Sequence, residues 1–260
     1  MAFSASQILW MVPVGILAGI ISSTVGMASL VSYPALLYIG GLSSQPVFAN
    51  VTNTAAMIFS GLGSGLSSIP ELRGHVKQVI TTLLLTFFGS IGGTVLLLLE
   101  PSSSFQKIVP FFILMAGIMI LWPRKNHAAD PDRQHHVKLK FKIMAAVAIL
   151  IMGGYMGYFG AAAGVIMIAI LSWTTNESYP VYNAVKNVSA LSANVVAMII
   201  YAIKSHVYWI MVIPLGIGLF IGGYIGPKIV RHVSEKALKM IVGIAALCLS
   251  IYMFIQAYWI

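Results

Sequence analysis

Charged residues are scarce in this chain of 260 residues: 8% of them are Asp, Glu, Lys or Arg, whereas 59% are hydrophobic. A soluble domain carries roughly a quarter charged residues, so this composition excludes an ordinary soluble protein. Because a transmembrane helix needs about 20 apolar residues, the chain can hold at most about ten membrane segments. Almost nothing remains for a separate catalytic or DNA-binding domain.

Cysteine and carboxylates are also rare. The single cysteine, Cys248, excludes an intrachain disulfide and a multi-cysteine metal site. All six carboxylates lie in predicted loops or at their margins, so we expect no buried Asp or Glu that could bind a proton or sodium. The apolar runs contain no Ser-His-Asp set or His/carboxylate cluster, and the Gly-x-x-x-x-Gly-Lys nucleotide loop is missing. We therefore expect no enzyme, no cofactor and no metal site.

Long charge-free runs fill most of the chain and predict an all-α polytopic membrane protein. Two pieces, 7–40 and 143–176, contain about 34 residues each and are interrupted by glycine clusters. Such a piece is too long for one membrane helix, so we expect each to form a helical hairpin or a broken helix pair. Three transmembrane helices are expected after each pair, which gives about 8–10 membrane segments.

Basic residues are concentrated in three links between the apolar runs. The link at 124–142 carries six, the link at 228–239 carries four and the link at 71–77 carries two. Short cytoplasmic loops collect Lys and Arg, so these links are predicted to face the cytoplasm. The formal charge of +9 is then a matter of topology, and we expect no nucleic-acid partner.

Matching residues recur in the two halves of the chain. In chain order, the matches are Gly15, Gly19 and Gly26 with Gly153, Gly157 and Gly164, Thr52-Asn53 with Lys186-Asn187, His75 with His206, and Gly89 and Gly93 with Gly218 and Gly222. With an odd number of crossings per half, related halves are inserted in opposite orientations. We therefore predict two inverted repeats, 1–123 and 143–260, joined by a basic cytoplasmic linker at 124–142. Inverted repeats with broken helices characterise secondary transporters.

Lys186 is the one ionisable candidate deep in an apolar segment. It shares a helical face with Asn183, Asn187 and Ala190. An ionisable group in hydrocarbon costs at least about 2.5 kcal/mol, so it usually faces a cavity or a partner. The alternative is a lysine near the helix end that extends to the lipid headgroups. Because the matching face in the first half is also polar, we favour a role in substrate binding.

The glycine clusters supply the rest of the predicted site. A half-helix that begins inside the membrane points free N–H groups and its positive dipole end at the cavity, which suits an anion. The alternative is that the glycines only let helices approach closely. We predict that the anion is bound by Ser23, Thr24, Gly26, Thr52, Asn53, Gly160, Gly164, Lys186 and Asn187.

Together, these motifs resemble the sulfite exporter TauE/SafE family of membrane permeases. The resemblance covers nearly the whole chain. It rests on the glycine-rich opening of each half (19–34 and 157–173), Ala49-x-x-Thr52-Asn53 with its second-half partner, and His206-Val207-x-Trp209 followed by Gly218-x-x-x-Gly222-x-x-x-Gly226.

The resemblance implies transport of a sulfur-containing anion such as sulfite, thiosulfate or an organosulfonate across the bacterial inner membrane. It also implies alternating access without ATP. The chain departs from the family where a Thr-Ser type pair is usual in the second half, because it has Lys186-Asn187 there. A fixed cation at that position fits an anionic substrate.

Two alternatives stay open. An anion channel could use the same pore, and a membrane enzyme or an assembly factor could instead bind a partner through the basic linker. For the favoured function, the expected partners are the small anion and the lipid bilayer, and a homodimer is compatible with the sequence.

Overall fold

The computed structural model describes residues 3–99, 139–161, 163–174 and 177–232, with scattered helical positions within 107–118 and 240–255. The described residues contain helices and no strand, so the predicted all-α class is confirmed. The helices are α1 (Ala5–Val25), α2 (Ser29–Tyr38), α3 (Pro46–Ser67), α4 (Ile69–Leu72), α5 (Val76–Leu99), α6 (Leu139–Tyr158), α7 (Ala163–Thr174), α8 (Tyr179–Lys204) and α9 (Trp209–Val230).

Four of these helices, α1, α5, α8 and α9, are long and apolar enough to cross a membrane. The chain is therefore a multi-pass membrane protein, as predicted. The last helix expected in each half, at about 108–123 and 240–260, lies largely outside the described residues. So does most of the predicted linker at 124–142, although its final residues already belong to α6.

The two long apolar pieces contain a left-handed glycine at the point where their first helix stops. Gly26 follows α1 with φ +85°, and Gly160 follows α6 with φ +69°. After the first turn, α2 leads back, because Gly41 beyond its end lies beside Gln7 near the start of α1. At 1.5 Å per residue, α2 and α7 are only about 15 and 18 Å long, roughly half of a hydrocarbon core.

Two close-packed pairs of parallel helices each combine one helix from the first sequence half with one from the second. In the pair α1–α9, Gly15 and Gly19 lie against the backbone around Leu215 and Leu219. In the pair α5–α6, Gly153 and Gly157 lie against the backbone of Thr86 and Ser90 in the same stepwise manner. Small residues permit this close approach of backbones, which is the usual basis of helix packing in membranes. Between the pairs, α3 packs against α8 and α9, and α8 also packs against α5.

The helix ends fall on two sides of the molecule. On the N-terminal side, where α1, α3 and α9 begin, the Tyr208 hydroxyl donates to the side chain of Gln45. On the opposite side, here called the basic side, Arg231 pairs with Glu71 at 2.7 Å. His75 Nδ1 lies 3.3 Å from Glu177 Oε1 on this same side. The described parts of the basic links at 71–77 and 228–239 thus share one side, as the predicted topology requires.

The contact between α5 and α6 can be tested with two neighbouring glycines of α5. A Cβ added at Gly93 would collide with the carbonyl oxygen of Gly154, whereas one at Gly92 would meet no atom within 4 Å. We expect Gly93→Ala to lower the free energy of unfolding by about 1–3 kcal/mol, measured as a lower Tm in detergent. Gly92→Ala should keep or slightly raise Tm, because alanine favours the helix. Equal Tm values in the two variants would contradict the close packing of α5 on α6.

Candidate functional site

The pairs α1–α2 and α6–α7 form two hairpins, whose tips are the turns at Gly26 and Gly160. A cavity lies where these tips meet the middle of α3 and α8. Its volume is about 50 Å³. Because a single water needs roughly 10–15 Å³ of such volume, the cavity has room for a few waters or a small ion. Its polar lining consists of Ser22, Ser29, Asn53, Thr54, Ser64, Lys186, Asn187 and Asn194.

Lys186 is the only described charged residue in the lining of this cavity. Its side chain is 1% exposed, so it does not extend to the surface of the described structure. Its Nζ donates a hydrogen bond to the carbonyl oxygen of Ser22 at 3.0 Å. No carboxylate in the described ranges lies within salt-bridge distance of it. The buried amino group of Lys186 therefore faces the cavity with a single backbone carbonyl as its described partner.

The polar face of α8 caps the broken end of α1. A helix leaves its last four carbonyl groups without an intrahelical partner, and a helix that ends inside the protein must satisfy them otherwise. Ser23 O accepts from Asn183 Nδ2 at 2.8 Å and from Asn187 Nδ2 at 3.2 Å. Thr24 O accepts from the Tyr179 hydroxyl at 2.7 Å. Together with the hydrogen bond from Lys186 to Ser22 O, side chains of α8 donate to three of these four carbonyl groups.

A related contact occurs at the end of α6. Asn50 on α3 donates from Nδ2 to the carbonyl oxygen of Tyr158, the last residue of α6, at 3.1 Å. Each hairpin is thus capped by a long helix of the other sequence half. The two tips touch through Gly26 and Gly164, since a Cβ added to either would lie 2.5 Å from the Cα of the other.

The structure brings six of the nine predicted site residues to the cavity: Gly26, Asn53, Gly160, Gly164, Lys186 and Asn187. The other three do not line it. The hydroxyls of Ser23 and Thr24 donate to carbonyls one turn back in α1. The Thr52 hydroxyl accepts the backbone N–H of Tyr208 at 3.1 Å.

Several residues of the site are absent from the sequence-based set. Thr54 and Ser64 line the cavity from α3, and Tyr179 and Asn50 cap the broken helices. For α3 a signal was present, because Asn50, Thr54, Gly61 and Ser64 recur at helical spacing on the face that also holds Asn53. No comparable signal marked Tyr179, which lies at the start of α8 beyond the charge-free run.

Apolar side chains also line the cavity. They include Met57 on α3, Met156 in α6, Phe159 just after α6 and Leu191 on α8. Phe159 also makes an edge-to-face contact with Tyr33, at 5.4 Å between ring centroids. The site can therefore offer both polar and apolar contacts to a small ligand.

Comparison with known proteins gives a consistent set of similarities. A family model described as "Sulfite exporter TauE/SafE" matches residues 11–253. A "Probable membrane transporter protein" of Haemophilus influenzae is 24% identical over 246 residues, which cover 95% of this chain and 94% of that protein. "Probable membrane transporter protein ORF9" of a Sinorhizobium species is 26% identical, with 90% and 87% covered. "Probable membrane transporter protein YunE" of Bacillus subtilis is 22% identical, with 90% and 92% covered. No solved structure gives a significant match.

The capping of α1 can be tested by removing one oxygen atom. Tyr179→Phe takes the donor away from the buried Thr24 carbonyl, so we expect it to lower the free energy of unfolding by about 1–3 kcal/mol. Thermal unfolding in detergent would show this as a lower Tm. The control is Tyr224→Phe, because the Tyr224 hydroxyl makes no hydrogen bond to the described residues. An unchanged Tm in Tyr179→Phe would exclude a capping role for this hydroxyl.

Proposed function

Because the chain belongs to the sulfite exporter TauE/SafE family, we propose that it is a secondary transporter for a small sulfur-containing anion. Sulfite, thiosulfate and small organosulfonates are the candidate substrates, and the bacterial inner membrane is the proposed location. The sulfur-containing class comes from the description of the family, whereas the relatives are named only as probable membrane transporters.

The observation that carries this proposal is the buried ammonium group of Lys186. An isolated buried charge costs several kcal/mol unless an opposite charge and further hydrogen bonds compensate it. The ammonium has three N–H donors, and the Ser22 carbonyl takes one of them. Two donors remain for a ligand, and an oxyanion in the cavity would supply both the missing charge and the missing acceptors.

The surroundings of Lys186 support an anion as well. Asn53 and Asn187 bring side-chain amides to the same cavity; Asn53 Nδ2 donates to Ser29 Oγ and Asn187 Nδ2 to Ser23 O, and each Nδ2 carries a second N–H that a ligand could accept. The helices α2 and α7 begin beside it at Ser29 and Ala163, so their positive dipole ends lie close to the proposed ligand. The described lining contains no carboxylate that would repel an anion.

Alternating access is the proposed mechanism of transport, and the reciprocal packing supports it. Each first helix of a hairpin packs in parallel on a long helix of the other sequence half: α1 on α9, and α6 on α5. Two inverted repeats that meet at the Gly26–Gly164 contact would produce this reciprocal packing. Rocking one pair against the other would expose the cavity first to one side of the membrane and then to the other.

The test is counterflow of radiolabelled sulfite, thiosulfate and methanesulfonate into proteoliposomes. We expect saturable exchange with the wild type. In Lys186→Ala we expect the affinity for the anion to be roughly 10–100-fold lower, since a hydrogen bond to a charged group is worth about 1.5–3 kcal/mol. Lys204→Ala is the matched control, because Lys204 lies exposed at the far end of the same helix.

Three other outcomes would contradict parts of this proposal. Normal counterflow in Lys186→Ala would exclude Lys186 from the site. Flux that rises linearly with anion concentration and shows no counterflow would indicate a channel. Absence of flux for all three anions would contradict the substrate class, although not the fold.

A further inference from the structure

We propose that Lys186 also carries the proton that couples transport to a proton gradient, so that each anion crosses the membrane together with one proton. This inference rests on the anion site proposed above and adds the identity of the coupling ion. It follows from three features of the site: the burial of Lys186, the lack of a carboxylate beside it, and the kind of group it donates to.

Lys186 is the one ionisable side chain in the described lining of the cavity. The helices α1, α3 and α7 contain no acidic, basic or tyrosine side chain among their described residues. The described ionisable side chains on α8 and the other elements packed against it are Glu71 on α4, Lys77 on α5, Tyr155 and Tyr158 on α6, Tyr224 and Lys228 on α9, and Tyr179, Tyr182, Tyr201 and Lys204 on α8 itself. None of these lines the cavity, so a proton taken up at the site has Lys186 as its acceptor.

No described carboxylate lies beside Lys186, so an anion in the cavity is what would balance its charge. With the anion bound, the ammonium has an opposite charge beside it. Once the anion leaves, the same ammonium is buried with one backbone carbonyl as its described partner, and a buried charge without a counter-charge is strongly disfavoured. The energy of the empty site then falls when the N–H bond to one proton breaks and that proton passes to water.

The Ser22 carbonyl makes the two protonation states structurally equivalent. A neutral amine keeps two N–H groups and gains one lone pair, so it can still donate to Ser22 O and cap α1. The empty transporter therefore keeps its hairpin tip in place while it loses its buried charge. A carboxylate in the place of Ser22 O would instead hold the proton permanently.

The transport cycle balances in charge and in protons. On one side of the membrane, the amine lone pair binds a proton and the resulting ammonium binds the anion. On the other side, the anion dissociates and the proton follows it into water. The empty carrier then returns in the neutral form. A monovalent sulfonate would cross without net charge, and a divalent thiosulfate would carry one net negative charge.

The experiment uses arginine, which stays protonated and so separates anion binding from proton coupling. Proteoliposomes containing the wild type, Lys186→Arg or the control Lys204→Arg are given radiolabelled thiosulfate or methanesulfonate. Both anions keep a constant charge near neutral pH, so their own titration cannot couple them to protons. We expect an inward proton gradient to drive accumulation in the wild type and in Lys204→Arg. In Lys186→Arg we expect weaker counterflow, and we expect the counterflow that remains to give no more accumulation with a proton gradient than without one.

A second measurement covers the case in which Lys186→Arg does not bind anions. Adding thiosulfate to the wild-type protein in weakly buffered detergent solution should cause uptake of up to one proton per anion bound, with the amount rising at alkaline pH. Wild-type counterflow with no accumulation under a proton gradient and no proton uptake would overturn the coupling but leave the anion transporter intact. Absence of wild-type counterflow with both anions would overturn the two proposals together.

Discussion

The structure depends on one constraint: a helix that ends inside the protein, away from water, must have its last carbonyl groups satisfied by other protein groups. In α1 the carbonyls of Ser22, Ser23 and Thr24 meet this condition through donors from α8. In α6 the Tyr158 carbonyl meets it through Asn50 of α3. These caps bring polar side chains to the centre of an apolar molecule, and the cavity lies where they converge.

The positions of the site along the chain could be predicted because they depend on local patterns. The glycines at 26 and 160 mark helix breaks, and the structure shows both with positive φ. Lys186 and Asn187 stand out because they are polar in an apolar run, and both line the cavity. The all-α class follows from the apolar runs alone. The inverted relation of the two repeats stays a prediction, which the reciprocal helix packing supports.

The contacts of the site could not be predicted, because they join residues far apart in the sequence. Helical spacing places Asn183 on the face of Lys186, but only the fold brings it to Ser23. Thr52 shows a second limit of the repeat argument. It matches Lys186 in position, yet its face of α3 turns towards α9, where Gly63 approaches the backbone of Phe220 and Thr52 binds Tyr208. A match between repeats predicts the depth of a residue more reliably than it predicts which neighbour that residue contacts.

The parallel pairs α1–α9 and α5–α6 have a consequence for how the molecule could be divided. Among the described helices, neither sequence half contains a complete close-packed pair, because α1 packs on α9 and α6 packs on α5. Two fragments produced by cutting the chain within 124–142 would each leave glycine-lined helix faces uncovered, such as the face of α1 that holds Gly15 and Gly19. They would become stable only by binding one another. By the same reasoning, the predicted inverted repeat implies that the product of an ancestral gene for one half would have paired with a second copy inserted in the opposite direction.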